Sequence, residues 1–174
     1  IHYDTLLEKQ GKTLPVFTNI LLRSTNVINE KFEDAYPNNR VKSLVHYWLG
    51  NMEKLDGDVE PFKELLTTNF ELNFSSQTKI TSHQELKKWL GGTPKGLKQS
   101  SHHPENLRVI SLGNNEYEVF VDFDWYAMTL DGKKMSGKTS HHWIVIDNLD
   151  QRFAKIKKMD VTLIEPITVG QVDV

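Results

Sequence analysis

The feature that most constrains the fold is a change of hydrophobic period near residue 99. Before it, apolar residues recur at the three-to-four-residue spacing of amphipathic helices. After it they alternate with polar residues, most clearly in residues 117–125. A turn at Gly113–Asn115 precedes three long strand patterns, which turn sequences at Asp131-Gly132 and Asp147–Asp150 separate; the last pattern is Arg152–Leu163. A helical first half followed by neighbouring strands predicts an α+β fold with an antiparallel sheet.

The first part of the chain predicts an N-terminal helical arm. Pro15 suits a first helical turn, and Tyr36–Asn39 predicts a break. We expect residues 1–36 to form this arm, packed on a main domain of residues 37–174. An exposed apolar stripe also fits a partner-binding helix. The apolar positions at near-helical spacing are Val16, Phe17, Ile20, Leu21, Val27, Ile28 and Phe32.

Four further elements are predicted before the change of period. Residues 41–55 continue the helical pattern, and Pro61 lies near the start of a short second helix. Phe70–Phe74 alternates and predicts a strand. Ser82 and Glu85 form the capping box of a third helix, which two glycines end.

Composition favours a globular protein and excludes several functions. The chain has 174 residues and a formal net charge of −2, so it lacks the basic surface that nucleic acid or an anionic membrane would need. It has no cysteine, which removes disulfides and thiol nucleophiles. No apolar run approaches the ~20 residues that span a bilayer. We expect a cytoplasmic protein, although the start at Ile1 leaves room for a removed signal peptide.

The order of these elements resembles a known superfamily. Ser100-x-His102-x-x-x-Asn106 opens a long strand, and Ile80–Leu86 leads into the third helix. Over about residues 39–165 the chain resembles the nuclear transport factor 2-like superfamily, and within it the SnoaL-like polyketide cyclase and dehydratase branch. The resemblance implies a cone-shaped, curved antiparallel sheet wrapped around helices, in the cystatin-like manner. It also implies a pocket for a small apolar molecule at the open end.

The resemblance implies that His102 lies in this pocket, whereas strand parity favours its neighbour. His103 shares parity with Leu107 and Val109, which are expected to be buried. A bulge near Pro104 would reconcile the two expectations. The alternative is that both histidines are ordinary strand-end residues.

Further site candidates come from the first helix and the later strands. The resemblance implies that Tyr47 lines the pocket. The branch's helix-borne aspartate has no clear counterpart, with Asn51 or Glu53 nearest, so a His–Asp pair does not carry over intact. His141 and His142 face opposite sides, and either could point inward. We take His102, Tyr47 and His141 as candidate catalytic residues. The ligand-binding candidates are Trp89, His103, Phe123, Trp125 and Trp143. The aromatic residues among them could equally belong to the hydrophobic core.

Asp122 and Asp124 alternate with apolar residues and are expected to face outward. Phe120, Tyr126 and Met128 share that face. An apolar surface of this size suggests that another protein surface packs against it. Since the outer sheet face is often a dimer contact in this superfamily, the resemblance implies a homodimer.

Two functions stay open at this point. The first is a cofactor-independent lyase, isomerase or cyclase that uses acid–base catalysis on a small apolar molecule. The second is a non-catalytic ligand-binding or dimeric assembly module of the same fold. We predict no cofactor, and no metal because the histidines lack helical i, i+4 spacing.

Overall fold

The structure is a computed structural model that describes residues 2–4, 19–21, 26–74, 78–92 and 96–170. The chain divides into two compact units, Ile1–Tyr36 and Pro37–Val174. In chain order the elements are β1 (His2–Asp4), β2 (Asn19–Leu21), α1 (Asn26–Met52), α2 (Glu60–Lys63), β3 (Leu66–Phe74), β4 (Thr78–Ile80), α3 (His83–Leu90), β5 (Leu97–Gly113), β6 (Glu116–Thr129), β7 (Lys134–Ile146) and β8 (Lys155–Val169).

The first unit contains a pair of short strands. β1 and β2 are antiparallel, with His2 opposite Leu21. The predicted helix is therefore wrong at Ile20 and Leu21, because their backbone groups pair with residues 2–4. Apolar spacing alone could not reveal that distant partner. Residues 15–18 and 22–25 of the predicted helix lie outside the described residues, and the packing of the arm stays a prediction.

The predicted break at Tyr36–Asn39 is also wrong. Pro37 lies inside α1, so the chain stays helical there although proline removes one backbone hydrogen bond. Beyond it, the expected apolar stripe of α1 is confirmed, with Val41, Leu44 and Trp48 each at most 2% exposed. Within the described residues, no helix has both the length and the apolar character needed to cross a membrane.

The second unit is built on a curved, unclosed sheet of six strands in the order β4-β3-β8-β7-β6-β5. Its neighbours are antiparallel except β3 and β8, which run parallel. The sheet is thus mixed, which corrects the all-antiparallel expectation. A parallel pair needs a long crossover connection, and the chain between β3 and β8 supplies it with α3 and the other four strands.

The core lies between the helices and the inner face of the sheet. Val119, Val121 and Phe123 of β6 and Trp143 of β7 are at most 2% exposed and form one cluster with the apolar stripe of α1. Burial of each such side chain stabilises the fold by about 1.5–3 kcal/mol. The helices are thereby held against a sheet face that has room for a cavity at one end.

The outer face of β6 carries the polar residues, as expected. Asp124 pairs with Lys138 at 3.2 Å, and Tyr126 is 51% exposed. Phe120 is covered from within the chain, because the His142 ring stacks on it at 4.7 Å and the Arg108 guanidinium lies 5.6 Å from its centroid. Self-association through this face stays a prediction.

A buried ion pair joins α1 to the turn after β7. The Arg40 Nε donates to both carboxylate oxygens of Asp147 at 3.0 Å, and its guanidinium also donates to the Gln151 carbonyl at 2.8 Å. Asp147 is 2% exposed. Because both partners lose water on folding, removal of one would leave the other uncompensated.

We expect Asp147→Ala to lower the free energy of unfolding by about 3 kcal/mol, measured by urea denaturation. Asp150→Ala, at an exposed position of the same turn, is the matched control and should change it by less than about 0.5 kcal/mol. Equal stability of the two variants would show that the buried pair does not hold α1 in place.

Candidate acid–base site

A cavity of about 200 Å³ lies between the C-terminal part of α1, α3 and the inner face of the sheet. Most of its wall is apolar, and its polar side chains are few, which is the usual make-up of a small-molecule pocket. The lining residues are Trp48, Leu49, Met52, Phe74, Trp89, His102, Trp125, Gly137, Thr139, His141, Val161, Leu163 and Ile167.

A bulge in β5 decides which histidine enters this cavity. Glu105 pairs with Asp122 and Arg108 with Phe120, so β5 has one residue more than β6 over this stretch. Asn106 takes a positive φ of 54° within the bulge, a conformation that asparagine adopts more readily than most residues. The inward parity changes at this point, which confirms the bulge expected near Pro104. As a result both His102 and Val109 can face the inside of the sheet.

Glu53 is the partner of His102. The His102 backbone N–H donates to Glu53 Oε1, and His102 Nδ1 lies 3.1 Å from the same oxygen. Both side chains are largely buried, at 18% and 30% exposed. The carboxylate that follows α1 is thus within hydrogen-bond distance of a cavity-lining imidazole.

The pKa of His102 is lowered from its ordinary value of 6.5, chiefly because burial disfavours the charged ring. The hydrogen bond and the charge of Glu53 act in the opposite direction, and the nearby His103 adds a small further lowering. His102 is therefore neutral at pH 7, the protonation state that a general base requires.

His141 is the second cavity histidine, which settles the open choice between His141 and His142. Trp143 Nε1 donates to its Nδ1 at 3.3 Å, and its Nε2 lies 3.1 Å from Thr139 Oγ1. Burial, with repulsion from His102, lowers the pKa of His141 to about 3. His142 faces outward and pairs with Glu118 at 3.0 Å.

The aromatic candidates divide between cavity wall and core. Trp89 and Trp125 line the cavity; Trp89 stacks on Phe74 at 4.2 Å. The Trp125 indole donates to Ser100 Oγ at 2.9 Å. Phe123 and Trp143 are fully buried beneath the wall, where they contact the histidines rather than the open space.

Two sequence candidates lie away from the cavity wall. The Tyr47 ring stacks on Phe153 at 4.9 Å and is 41% exposed, since it falls beside the apolar stripe of α1 rather than on it. His103 faces the outer side of β5, where it contacts Ser101 and the Tyr126 ring. We therefore leave both out of the proposed site.

Sequence reasoning named Glu53 without giving it a role, and it did not consider Thr139. A usable signal for Glu53 existed, because it follows the buried Leu49 by four residues and so falls on the same helical stripe. Thr139 had no comparable signal. Among the described residues, no group of three or more His, Asp or Glu side chains is placed to hold a metal ion.

No protein-family profile matches the sequence, and a comparison with curated proteins finds no match. Solved structures with a similar fold include a scytalone dehydratase-like protein from Novosphingobium aromaticivorans, with a TM-score of 0.69 and 14% identity over 80% of this chain and 91% of that one. The hexachlorocyclohexane dehydrochlorinase LinA-type3 from Novosphingobium barchaimii has a TM-score of 0.68 and 10% identity over 83% and 98%.

A nuclear transport factor 2-like superfamily protein from Salmonella enterica has a TM-score of 0.64 and 12% identity over 81% of this chain and 99% of that one. At these identities the likeness is one of fold. The expected resemblance is thus confirmed at the level of the superfamily fold: the chain has the α+β fold of nuclear transport factor 2-like proteins.

Burial of His141 should make stability depend on pH. Its folded pKa of about 3 lies below the ordinary 6.5, so between these values the unfolded chain binds more protons and acid favours unfolding. We expect this residue to lower the free energy of unfolding by about 1.4 kcal/mol per pH unit from about pH 6 downward. Urea unfolding of the wild type and His141→Asn from pH 7 to pH 4.5 measures the difference.

The variant should be less stable at pH 7 but lose less stability on acidification. His46→Gln, at an exposed position on α1, serves as the matched control and should keep the wild-type slope. A His141→Asn protein with the wild-type slope would contradict the burial of a neutral imidazole.

Proposed function

We propose that this chain is a cofactor-independent acid–base enzyme that removes a proton from a carbon atom of a small apolar molecule, with elimination as the reaction class. The observation that carries the proposal is the 3.1 Å contact between His102 Nδ1 and Glu53 beside an apolar cavity. A base oriented by a carboxylate is the arrangement that such chemistry needs.

On this proposal, each nitrogen of His102 has a separate role, which the contact with Glu53 supports. A carboxylate accepts hydrogen bonds, so Nδ1 carries the proton and donates a hydrogen bond to Glu53. Nε2 then holds the lone pair on a ring that lines the cavity. When Nε2 takes up a proton, the adjacent carboxylate stabilises the imidazolium, as an orienting acid does in other base–carboxylate pairs.

The proposed step is a base-promoted elimination. His102 Nε2 takes the proton from a substrate carbon, and the C–H electron pair forms the new π bond. The leaving group departs from the neighbouring atom with its bonding electrons. Walls made of Trp48, Trp89 and Trp125 keep bulk water away from the base, which strengthens its electrostatic interactions.

The fold neighbours support this reaction class. One is named a dehydrochlorinase and another resembles scytalone dehydratase; both names describe eliminations. A cavity of about 200 Å³ lies below the usual 300–1,000 Å³ of drug-sized pockets, which favours a compact, ring-sized substrate.

A compact probe tests the base directly. Proton removal from the isoxazole C–H of 5-nitrobenzisoxazole breaks its N–O bond and releases a coloured nitrophenolate. We expect the wild type to accelerate this reaction and His102→Gln to lower kcat/KM by about 100-fold or more. The rate should rise with pH through a pKa below 6.5 and level off near neutrality, because only the neutral imidazole is a base.

His103→Gln is the matched control, since it changes the adjacent residue on the outer face. Glu53→Gln should lower kcat and alter the pH profile while Glu53→Asp retains part of the rate, which a merely structural role would not produce. Thermal denaturation establishes that each variant is folded. If 5-nitrobenzisoxazole binds without turnover, the enzymatic proposal is wrong, and a non-catalytic ligand-binding module is favoured.

A further inference from the structure

Thr139 lies on the inner face of β7 and lines the cavity. It stands opposite Phe123 of β6. The Phe123 ring is contacted by His102 at 6.0 Å and by His141 at 4.7 Å between ring centroids. Thr139 and His141 therefore border the cavity from β7, while His102 borders it from β5.

A hydrogen-bond chain of fixed direction ends at Thr139. An indole N–H only donates, so the Trp143 contact at 3.3 Å requires His141 Nδ1 to accept. A neutral His141 must then carry its proton on Nε2, which donates to Thr139 Oγ1 at 3.1 Å. Trp143 is fully buried, so water does not compete with His141 for the hydrogen bond of the Trp143 indole N–H.

Because of these hydrogen bonds, the Thr139 hydroxyl can act only as a donor toward the cavity. Its oxygen accepts from His141, so its own proton is available to a further acceptor. Among the described residues this proton has no hydrogen-bond acceptor, and the side chain borders the open cavity. The space before Thr139 is therefore suited to an acceptor atom of a bound molecule.

We propose that the Thr139 hydroxyl donates a hydrogen bond to an oxygen of the molecule in the cavity. The inference rests on the proposed function and narrows its substrate class to compact apolar molecules that carry a carbonyl group next to the carbon of the acidic C–H. As His102 removes the proton, negative charge that develops on that oxygen is stabilised by the donor, which is already oriented by His141.

Two isosteric probes isolate this hydrogen bond. Acetophenone carries a carbonyl oxygen where α-methylstyrene carries a CH₂ group, and the two are otherwise alike in size and shape. Because only the acetophenone carbonyl loses hydrogen bonds to water on binding, the contribution of Thr139 is measured by removing its hydroxyl. We expect Thr139→Val to weaken acetophenone binding about fivefold relative to α-methylstyrene binding, the contribution of one neutral hydrogen bond. Binding is measured from chemical-shift changes of the Trp89 and Trp125 indole N–H groups in ¹⁵N-labelled protein.

Thr139→Val removes the hydroxyl at constant shape, so α-methylstyrene affinity should stay within twofold while acetophenone affinity falls. Thr139→Ser restores a hydroxyl and should restore acetophenone affinity. An acetophenone affinity that does not fall in Thr139→Val relative to that of α-methylstyrene would overturn the inference.

Turnover of 5-nitrobenzisoxazole by the wild type separates this inference from the proposed function. Turnover together with an acetophenone affinity that is unchanged by Thr139→Val would refute the role of Thr139 and leave the role of His102 standing. Binding of neither probe, with no turnover, would refute both.

Discussion

The bulge at Asn106 is the constraint on which the arrangement of the cavity depends. Successive residues of a strand face opposite sides of a sheet, so without the extra residue His102 and Val109 could not both face inward. The bulge lets the later part of β5 bury apolar side chains against the core while its earlier part presents an imidazole to the cavity. Glu53, at the end of α1, then lies within hydrogen-bond distance of that imidazole.

The same burial gives the two cavity histidines different chemistry. Loss of water lowers both pKa values, and the proximity of the rings lowers that of His141 further. Only His102 has a carboxylate partner, so it can take up a proton at a modest energetic cost. His141 has an indole donor on one side and a hydroxyl on the other. It therefore stays neutral, accepts a hydrogen bond from Trp143 and donates one to Thr139.

The elements with strong local sequence signals were predicted correctly. The predictions were wrong where the structure depends on pairing with residues far away in the chain. The capping box of α3 is confirmed, and so is the turn at Asp131-Gly132, where Gly132 has a φ of 86°. The parallel pairing of β3 with β8 and the strand at Ile20 depend on residues far away in the chain. In the site, residue type pointed to His102, but its contact with Glu53 arises only when β5 packs beside α1.

We propose that His102 acts as a neutral base whose Nδ1–H donates a hydrogen bond to Glu53. The tautomers of the imidazoles test it most directly, through ¹⁵N chemical shifts and N–H couplings of ¹⁵N-histidine-labelled protein at pH 7. We expect the Nδ1–H tautomer for His102 and the Nε2–H tautomer for His141. A His102 ring protonated at Nε2, or charged at pH 7, would contradict it, because Nε2 would then have no lone pair to accept a substrate proton.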